Sequence, residues 1–230
     1  MLFLVLTKVN AHIKVNQKNQ KMGNRSLSLL MLIALFITTL SCKKDEKETV
    51  VPIESIIFEQ DYNGTLEEVT TDFSIRSISN GKMYIEYKSP DSGNFYSYKY
   101  HDDFIRDYRI ETSIQPIWSS DLFKYGIMFL YKNSSNHYYI YIYKDTFYIA
   151  YVFNYNQHIL CDYTYSEFIN TDGTTNKIVI DKDDKHLDFY INNEKVFACD
   201  ISNEIGDQVG FRLKRKGKVA IDYLKVYDTN

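Results

Sequence analysis

Apolar and polar residues alternate at period two through most of this chain, most clearly in Tyr125–Tyr155, YGIMFLYKNSSNHYYIYIYKDTFYIAYVFNY. Three alternating runs, Tyr125–Tyr131, His137–Tyr143 and Phe147–Phe153, are parted by the polar breaks Asn133-Ser134-Ser135-Asn136 and Lys144-Asp145. Period two between turn signals predicts successive antiparallel strands. The second break is short enough to set a register. With Tyr143 opposite Thr146, Ile142 meets Phe147, Ile140 meets Ile149 and Tyr138 meets Tyr151, and this set forms the core side. Tyr139, Tyr141, Tyr143 and Tyr148 then share the other face, with Tyr141 directly across from Tyr148 and within ring contact. The expectation is a row of exposed tyrosines, serving either as a stacking surface for a ligand or as the underside of another layer.

The same period recurs on both sides of this stretch. Ile53–Tyr62 leads to the turn signal Asn63-Gly64, and Phe73, Ile75 and Ile78 lead to Asn80-Gly81. Lys82–Lys88, Phe95–Tyr100 (with Tyr96, Tyr98 and Tyr100 on one face) and Arg106–Ile114 follow. Trp118, the single tryptophan, is expected in a polar loop after Pro116. Gln157–Tyr163, Asn176–Asp181, Leu187–Ile191, Lys195–Cys199, Gln208–Leu213 and Lys218–Tyr227 complete the series. Asn192-Asn193 lies between two of these runs, where Asn tolerates the positive φ of a tight hairpin. About twelve short strands without a convincing helix after the leader predict an all-β, two-sheet antiparallel β-sandwich or jelly roll over residues 53–228.

The beginning of the chain follows a different pattern. Ser26–Ser41 is an apolar run shorter than the ~20 residues that cross a bilayer, and the basic Met22-Gly23-Asn24-Arg25 precedes it. It reads as a secretion leader whose true start is Met22. The junction Leu40-Ser41-Cys42-Lys43-Lys44-Asp45-Glu46 resembles a bacterial lipoprotein signal, which implies cleavage before Cys42 and acylation of that cysteine. Such an anchor is durable because it carries several acyl chains. The charged residues after Cys42 resemble the export signals of surface lipoproteins in the Bacteroidota, which implies an outer-membrane protein facing outward. Cys42 through Pro52 reads as a charged tether.

Charge narrows the range of partners. The chain carries 27 basic and 30 acidic residues, but the five Lys or Arg before Cys42 have no acidic counterpart, so the remainder is near −8. That disfavours nucleic acid as a partner of the body. The 21 tyrosines and 14 phenylalanines fit either a ring-lined binding surface or a genome that favours these codons.

Five segments in order resemble concanavalin A-like lectin/glucanase domains, and among them the laminin-G-like and glucanase-like modules of bacterial surface proteins. They are Gly126-Ile127-Met128-Phe129, Asn136–Ile142, Tyr190–Val196, Gly206–Phe211 and Val219–Val226, with Asn193 where that family usually has Gly. The resemblance implies a jelly roll and a glycan partner. Glucan hydrolases of the superfamily place two glutamates and an aspartate on one strand, because retention needs carboxyl groups ~5 Å apart. No Glu-x-Asp-x-x-Glu is found here. Glu86, Glu111 and Asp188 fall singly on different strands and are expected at solvated outward positions, so no catalytic residue is assigned. The acidic turn Asp181, Asp183, Asp184 lacks the Gly and terminal Glu of a calcium loop, and no histidines fall at ligand spacing, so neither a metal nor another cofactor is expected. For Cys161 and Cys199, a disulfide and a pair of buried thiols both remain open in an oxidising compartment. Trp118, Tyr139, Tyr141, Tyr143 and Tyr148 are the candidate ligand contacts, since aromatic rings stack on the apolar face of sugars while Tyr keeps a polar handle.

Overall fold

The structure, a computed structural model, describes residues 55–64, 66–90, 93–99, 107–203 and 205–229. The leader with Met22, Cys42, the tether and Tyr100 lie outside the described residues, as do the side chains of Tyr96 and Tyr98.

Fifteen strands are present among the described residues: β1 (Ser55–Gln60), β2 (Leu66–Thr70), β3 (Ser74–Ser79), β4 (Lys82–Tyr87), β5 (Gly93–Lys99), β6 (Tyr108–Ser119), β7 (Lys124–Asn133), β8 (Asn136–Tyr143), β9 (Thr146–Phe153), β10 (Asn156–Tyr165), β11 (Asn176–Asp183), β12 (His186–Ile191), β13 (Glu194–Asp200), β14 (Gln208–Lys214) and β15 (Gly217–Asp228). A nine-stranded sheet runs β13-β12-β11-β6-β15-β4-β3-β2, with β1 also paired to β15, and a six-stranded sheet runs β10-β9-β8-β7-β14-β5. Strand β15 is long enough to take β4 along Gly217–Ile221 and β1 along Leu224–Asp228 on one side, with β6 along the other.

The core lies between the sheets. Ile127, Phe129, Tyr138, Ile140, Ile142, Phe147, Ile149 and Phe211 of the smaller sheet meet Ile110, Ile114, Ile178, Ile180, Phe189, Val219 and Ile221 of the larger, all buried. Phe129 joins the two layers, tilted on Tyr138 at 5.6 Å and edge-on to Phe189 at 5.9 Å. Each such side chain contributes roughly 1.5–3 kcal/mol by leaving water. Thr112 occupies an inward position, and its hydroxyl donates to the Tyr223 carbonyl at 2.6 Å. That carbonyl lies where the β15 register shifts between Ile221 and Leu224, so the bulge supplies a partner for a polar group in the core.

The turns follow the sequence closely. Asn80-Gly81 and Asn192-Asn193 both have positive φ at the two central residues, 52° and 71°, then 53° and 72°, the geometry that matches the twist of a two-residue hairpin. Two elements differ from expectation. Strand β2 was not anticipated, because LEEVT lacks alternation; it is an edge strand on which Glu68 is exposed, as suits a sheet edge. Strand β6 does not stop at Ile114 but runs to Ser119. Pro116 is tolerated because the ladder with β15 shifts there, pairing Val219 with Pro116 and Lys218 with Trp118.

Candidate functional site

Strands β8 and β9 pair as the two-residue turn requires, with Tyr143 opposite Thr146, Ile142 opposite Phe147, Ile140 opposite Ile149, Tyr138 opposite Tyr151 and Tyr141 opposite Tyr148. The two faces separate as the alternation predicts. Tyr138, Ile140, Ile142, Phe147 and Ile149 belong to the main core, while Tyr139, Tyr141 and Tyr148 form a second cluster with Met128 and Ala150.

The second face is not the open surface expected from sequence. Tyr139, Tyr141 and Tyr148 are 2%, 3% and 5% exposed, and Tyr143 is half-buried. The rings close on one another: Tyr139 is edge-on to Tyr141 at 5.1 Å, and Tyr163 stacks on Tyr148 at 4.8 Å. Arg212 covers what remains, its guanidinium 4.0 Å from the Tyr139 centroid and 5.4 Å from that of Tyr141.

Register explains how Arg212 arrives there. It lies opposite Gly126, Gly126 opposite Tyr141, and Tyr141 opposite Tyr148, so one row crosses β14, β7, β8 and β9. The glycine has no side chain to hold the arginine off the rings. A Cβ at Gly126 would also lie 2.0 Å from the Ile140 carbonyl oxygen, so close approach of β7 to β8 requires glycine.

His137, one turn of the pleat from Tyr139 on β8, is almost wholly buried. Its Nδ1 lies 3.3 Å from the Asn133 carbonyl and its Nε2 2.8 Å from Arg212 Nη1. The carbonyl can only accept and the guanidinium can only donate, so the ring is the neutral tautomer with the proton on Nδ1. Burial, and then the neighbouring Arg212 charge, hold its pKa down to about 4, against the opposing hydrogen bond to Asn133. Burial likewise raises the pKa of Tyr139 and Tyr141.

Beside this ring layer is a cavity of about 250 Å³. Tyr139, Tyr141 and Tyr148 form its floor. Gln157, Ile159, Asp162 and Tyr163 of β10 form one wall, and Lys124 and Lys214 the other. Gln157 Nε2 donates to the Tyr148 hydroxyl at 2.5 Å. Lys124 Nζ donates to the Tyr163 hydroxyl and lies 4.4 Å from that ring's centroid. Burial lowers the pKa of both lysines, and the charges of Lys124, Arg212 and Arg215 lower that of Lys214 further. A larger hollow of about 440 Å³ involves Pro116, Ser119, Lys144, Asp145 and Thr171. Its aromatic members, Phe123 and Tyr125, are turned into the core, so it offers no ring platform.

The remaining candidates are scattered. Trp118 is 43% exposed, on β6 of the other sheet opposite Lys218, and lines no part of the tyrosine cavity. Glu111 and Asp188 face outward as expected but are not freely solvated. Glu111 accepts from the Tyr223 hydroxyl at 2.7 Å and pairs with Lys177 at 2.8 Å; Asp188 pairs with Lys195 at 2.7 Å and His186 at 3.1 Å. Glu86 sits opposite Lys218 on β4. Asp181 is held by Arg109 at 2.6 Å, whereas Asp183 and Asp184 are exposed at the hairpin tip. Among the described residues, no three His, Cys, Asp or Glu are grouped to hold a metal ion. Cys161 and Cys199 are free thiols on β10 and β13, edge strands of different sheets, both packed against the core, and burial raises Cys199 to about 11. Sequence reading did not single out Arg212, His137, Lys124, Lys214, Gln157 or Tyr163. Alternation of Gln208, Gly210, Arg212 and Lys214 along β14 signals an outward row, but only the pairing of Arg212 with Gly126 directs it toward the tyrosines.

No family model and no curated protein matches the sequence. Solved structures do match the fold. A laminarinase catalytic domain from Thermotoga petrophila shares 10% identity over 78% of this chain and 100% of its own, with a TM-score of 0.54. A laminarinase from Flavobacterium sp. shares 13% over 75% of this chain and 100% of its own, with a TM-score of 0.54. A Bacteroides ovatus mixed-linkage glucan GH16 protein, solved with a product bound, shares 15% over 74% of this chain and 100% of its own, with a TM-score of 0.53. With the topology above, these likenesses show the architecture to be a concanavalin A-like jelly roll.

Proposed function

We propose that this chain is a lipid-anchored surface protein of the bacterial outer membrane, whose jelly roll binds glycan without hydrolysing it. The observation that carries the binding reading is the cavity on the outer face of the six-stranded sheet, where a ring-built floor meets hydrogen-bonding and charged groups from three other strands. The neighbours named as laminarinases and as a mixed-linkage glucan protein with bound product support it, since they show the same architecture handling glucan. Binding is favoured over hydrolysis because the described lining of the cavity carries one carboxylate, Asp162, and the double-displacement route uses two. The buried rings act as a rigid base. The accessible contacts are Tyr163 and Gln157, while half-buried Tyr143 does not line the cavity. The anchor follows from the leader and Cys42, and its check is acyl labelling, expected for the native chain and lost in Cys42→Ser.

The test is retention of the full chain in detergent micelles on a panel of insoluble and gel-embedded polysaccharides, with a reducing-sugar assay alongside. Retention by at least one glycan, without turnover and lost in Tyr163→Ala, is expected. Turnover of any member would replace the proposal with an enzyme, and absence of retention across the panel would remove glycan as the ligand. A protein-interaction role is the second reading. It is favoured by β10, an edge strand on which Ile159, Tyr163 and Tyr165 are exposed beside Tyr155 of the preceding turn.

A further inference from the structure

The cations beside the tyrosine layer are placed in a way that the body's acidic composition does not suggest. Lys214 and Lys124 lie directly opposite each other on β14 and β7, one residue pair along from the Leu213–Tyr125 step. Like charges opposed across a ladder repel. Arg212 and Arg215 stand close enough to add to that repulsion at Lys214. Among the described residues, no carboxylate lies within ion-pair distance of either lysine, and the cavity they line has Asp162 as its one described acidic member, on the opposite wall. The two lysines are partly buried, so solvent screens them incompletely. Four lysines of the nine-stranded sheet, by contrast, pair with carboxylates: Lys82 with Asp222, Lys177 with Glu111, Lys195 with Asp188 and Lys225 with Glu59.

We propose that the cavity takes an acidic glycan, with the sugar's carboxylate or sulfate group set between Lys124 and Lys214 and the rest of the residue held by Gln157 and the edge of Tyr163. This inference rests on the glycan-binding reading and narrows it. An anion at that position relieves the repulsion between the opposed ammonium groups and forms charge-assisted hydrogen bonds with both. The hydroxyls of the same sugar find what those groups still offer: the Gln157 Oε1 accepts, and the Tyr163 hydroxyl, which accepts from Lys124, donates its own proton. A neutral sugar would satisfy the hydrogen bonds but leave the two cations facing each other.

The experiment is affinity electrophoresis of the full chain in detergent micelles, in gels containing sodium polygalacturonate, a sulfated galactan or a neutral mixed-linkage β-glucan. It is run at about 50 and 500 mM salt, because surface charge pairs are screened across that range. Retardation by one or both acidic polymers, falling at least tenfold at the higher salt and roughly tenfold in Lys214→Glu and in Lys124→Glu, is expected. The polymer that retards more strongly identifies the anion as carboxylate or sulfate. The charge-reversing Lys195→Glu on the other sheet controls for net charge and should leave retardation unchanged. Equal retardation by the neutral glucan, insensitive to salt and to the two lysine reversals, would overturn the acidic assignment while leaving glycan binding intact. Retardation by none of the three, with none of the wider polysaccharide panel retained, would overturn both.

Discussion

The outer faces of the two sheets carry charge in opposite ways. On the nine-stranded sheet, Arg109 and Asp181 sit directly across a ladder and share a two-point contact, and Lys225 sits directly across from Glu59. Lys177, Glu111 and Tyr223 extend the lattice, as do Lys195, Asp188 and His186. These charges are answered by neighbours, most of them on an adjacent strand. On the six-stranded sheet the outward rows hold rings and cations: Tyr139, Tyr141 and Tyr148 on β8 and β9, and Lys124, Arg212 and Lys214 on β7 and β14. An outward charged residue is therefore a poor guide to function by itself. What distinguishes the second face is that its cations lie against rings and a histidine rather than carboxylates, and that Lys124 and Lys214 line a hollow with an aromatic floor.

If the two faces differ in this way, substitutions on them should separate sharply. The largest effect is expected at the ring layer. Tyr141→Ala removes a buried ring, and urea unfolding should show a loss of about 4 kcal/mol; a loss below about 1 kcal/mol would mean that the rings are not packed as a layer. Gly126→Ala forces β7 away from the Ile140 carbonyl and is expected to cost about 3 kcal/mol in the same measurement.

Acid should act on this face through His137. Its folded pKa of about 4 lies below its ordinary 6.5, so the unfolded chain takes up the proton first. The stabilisation is therefore complete above about pH 6.5 and is lost as pH falls toward 4, on the order of 3 kcal/mol in all. The His137→Gln variant should flatten that part of the stability profile, and an unchanged profile would place the titrating group elsewhere. The smallest effects are expected from the charge lattice. Lys195→Ala should leave the unfolding midpoint almost unchanged, because the exposed lysine head is screened by solvent, and should not change glycan retention. Tyr163→Ala should be comparably mild for stability, since the ring is 44% exposed, yet should abolish retention.

Much of the fold was legible in the chain because β structure encodes itself locally. The two-residue Lys144-Asp145 break set the β8–β9 register, and alternation assigned Ile140 and Tyr141 to opposite faces. The same alternation could not tell an exposed face from a covered one. The groups that cover Tyr139 and Tyr148 come from β14 and β10, and Arg212 reaches its place only through pairing with a glycine far away in sequence. For the same reason Trp118, conspicuous as the single tryptophan, proved to sit on the other sheet, while alternation marked Lys214 as outward but not its pairing with Lys124.

Recognition, on the proposed function, belongs to the outer face of the six-stranded sheet. The decisive measurement is hydrogen exchange of the full chain with and without saturating polygalacturonate. Added protection is expected over Gln157–Tyr163 and Gln208–Lys214, with β11, β12 and β13 unchanged. Protection confined to β11 through β13, with β10 and β14 exchanging as before, would contradict it.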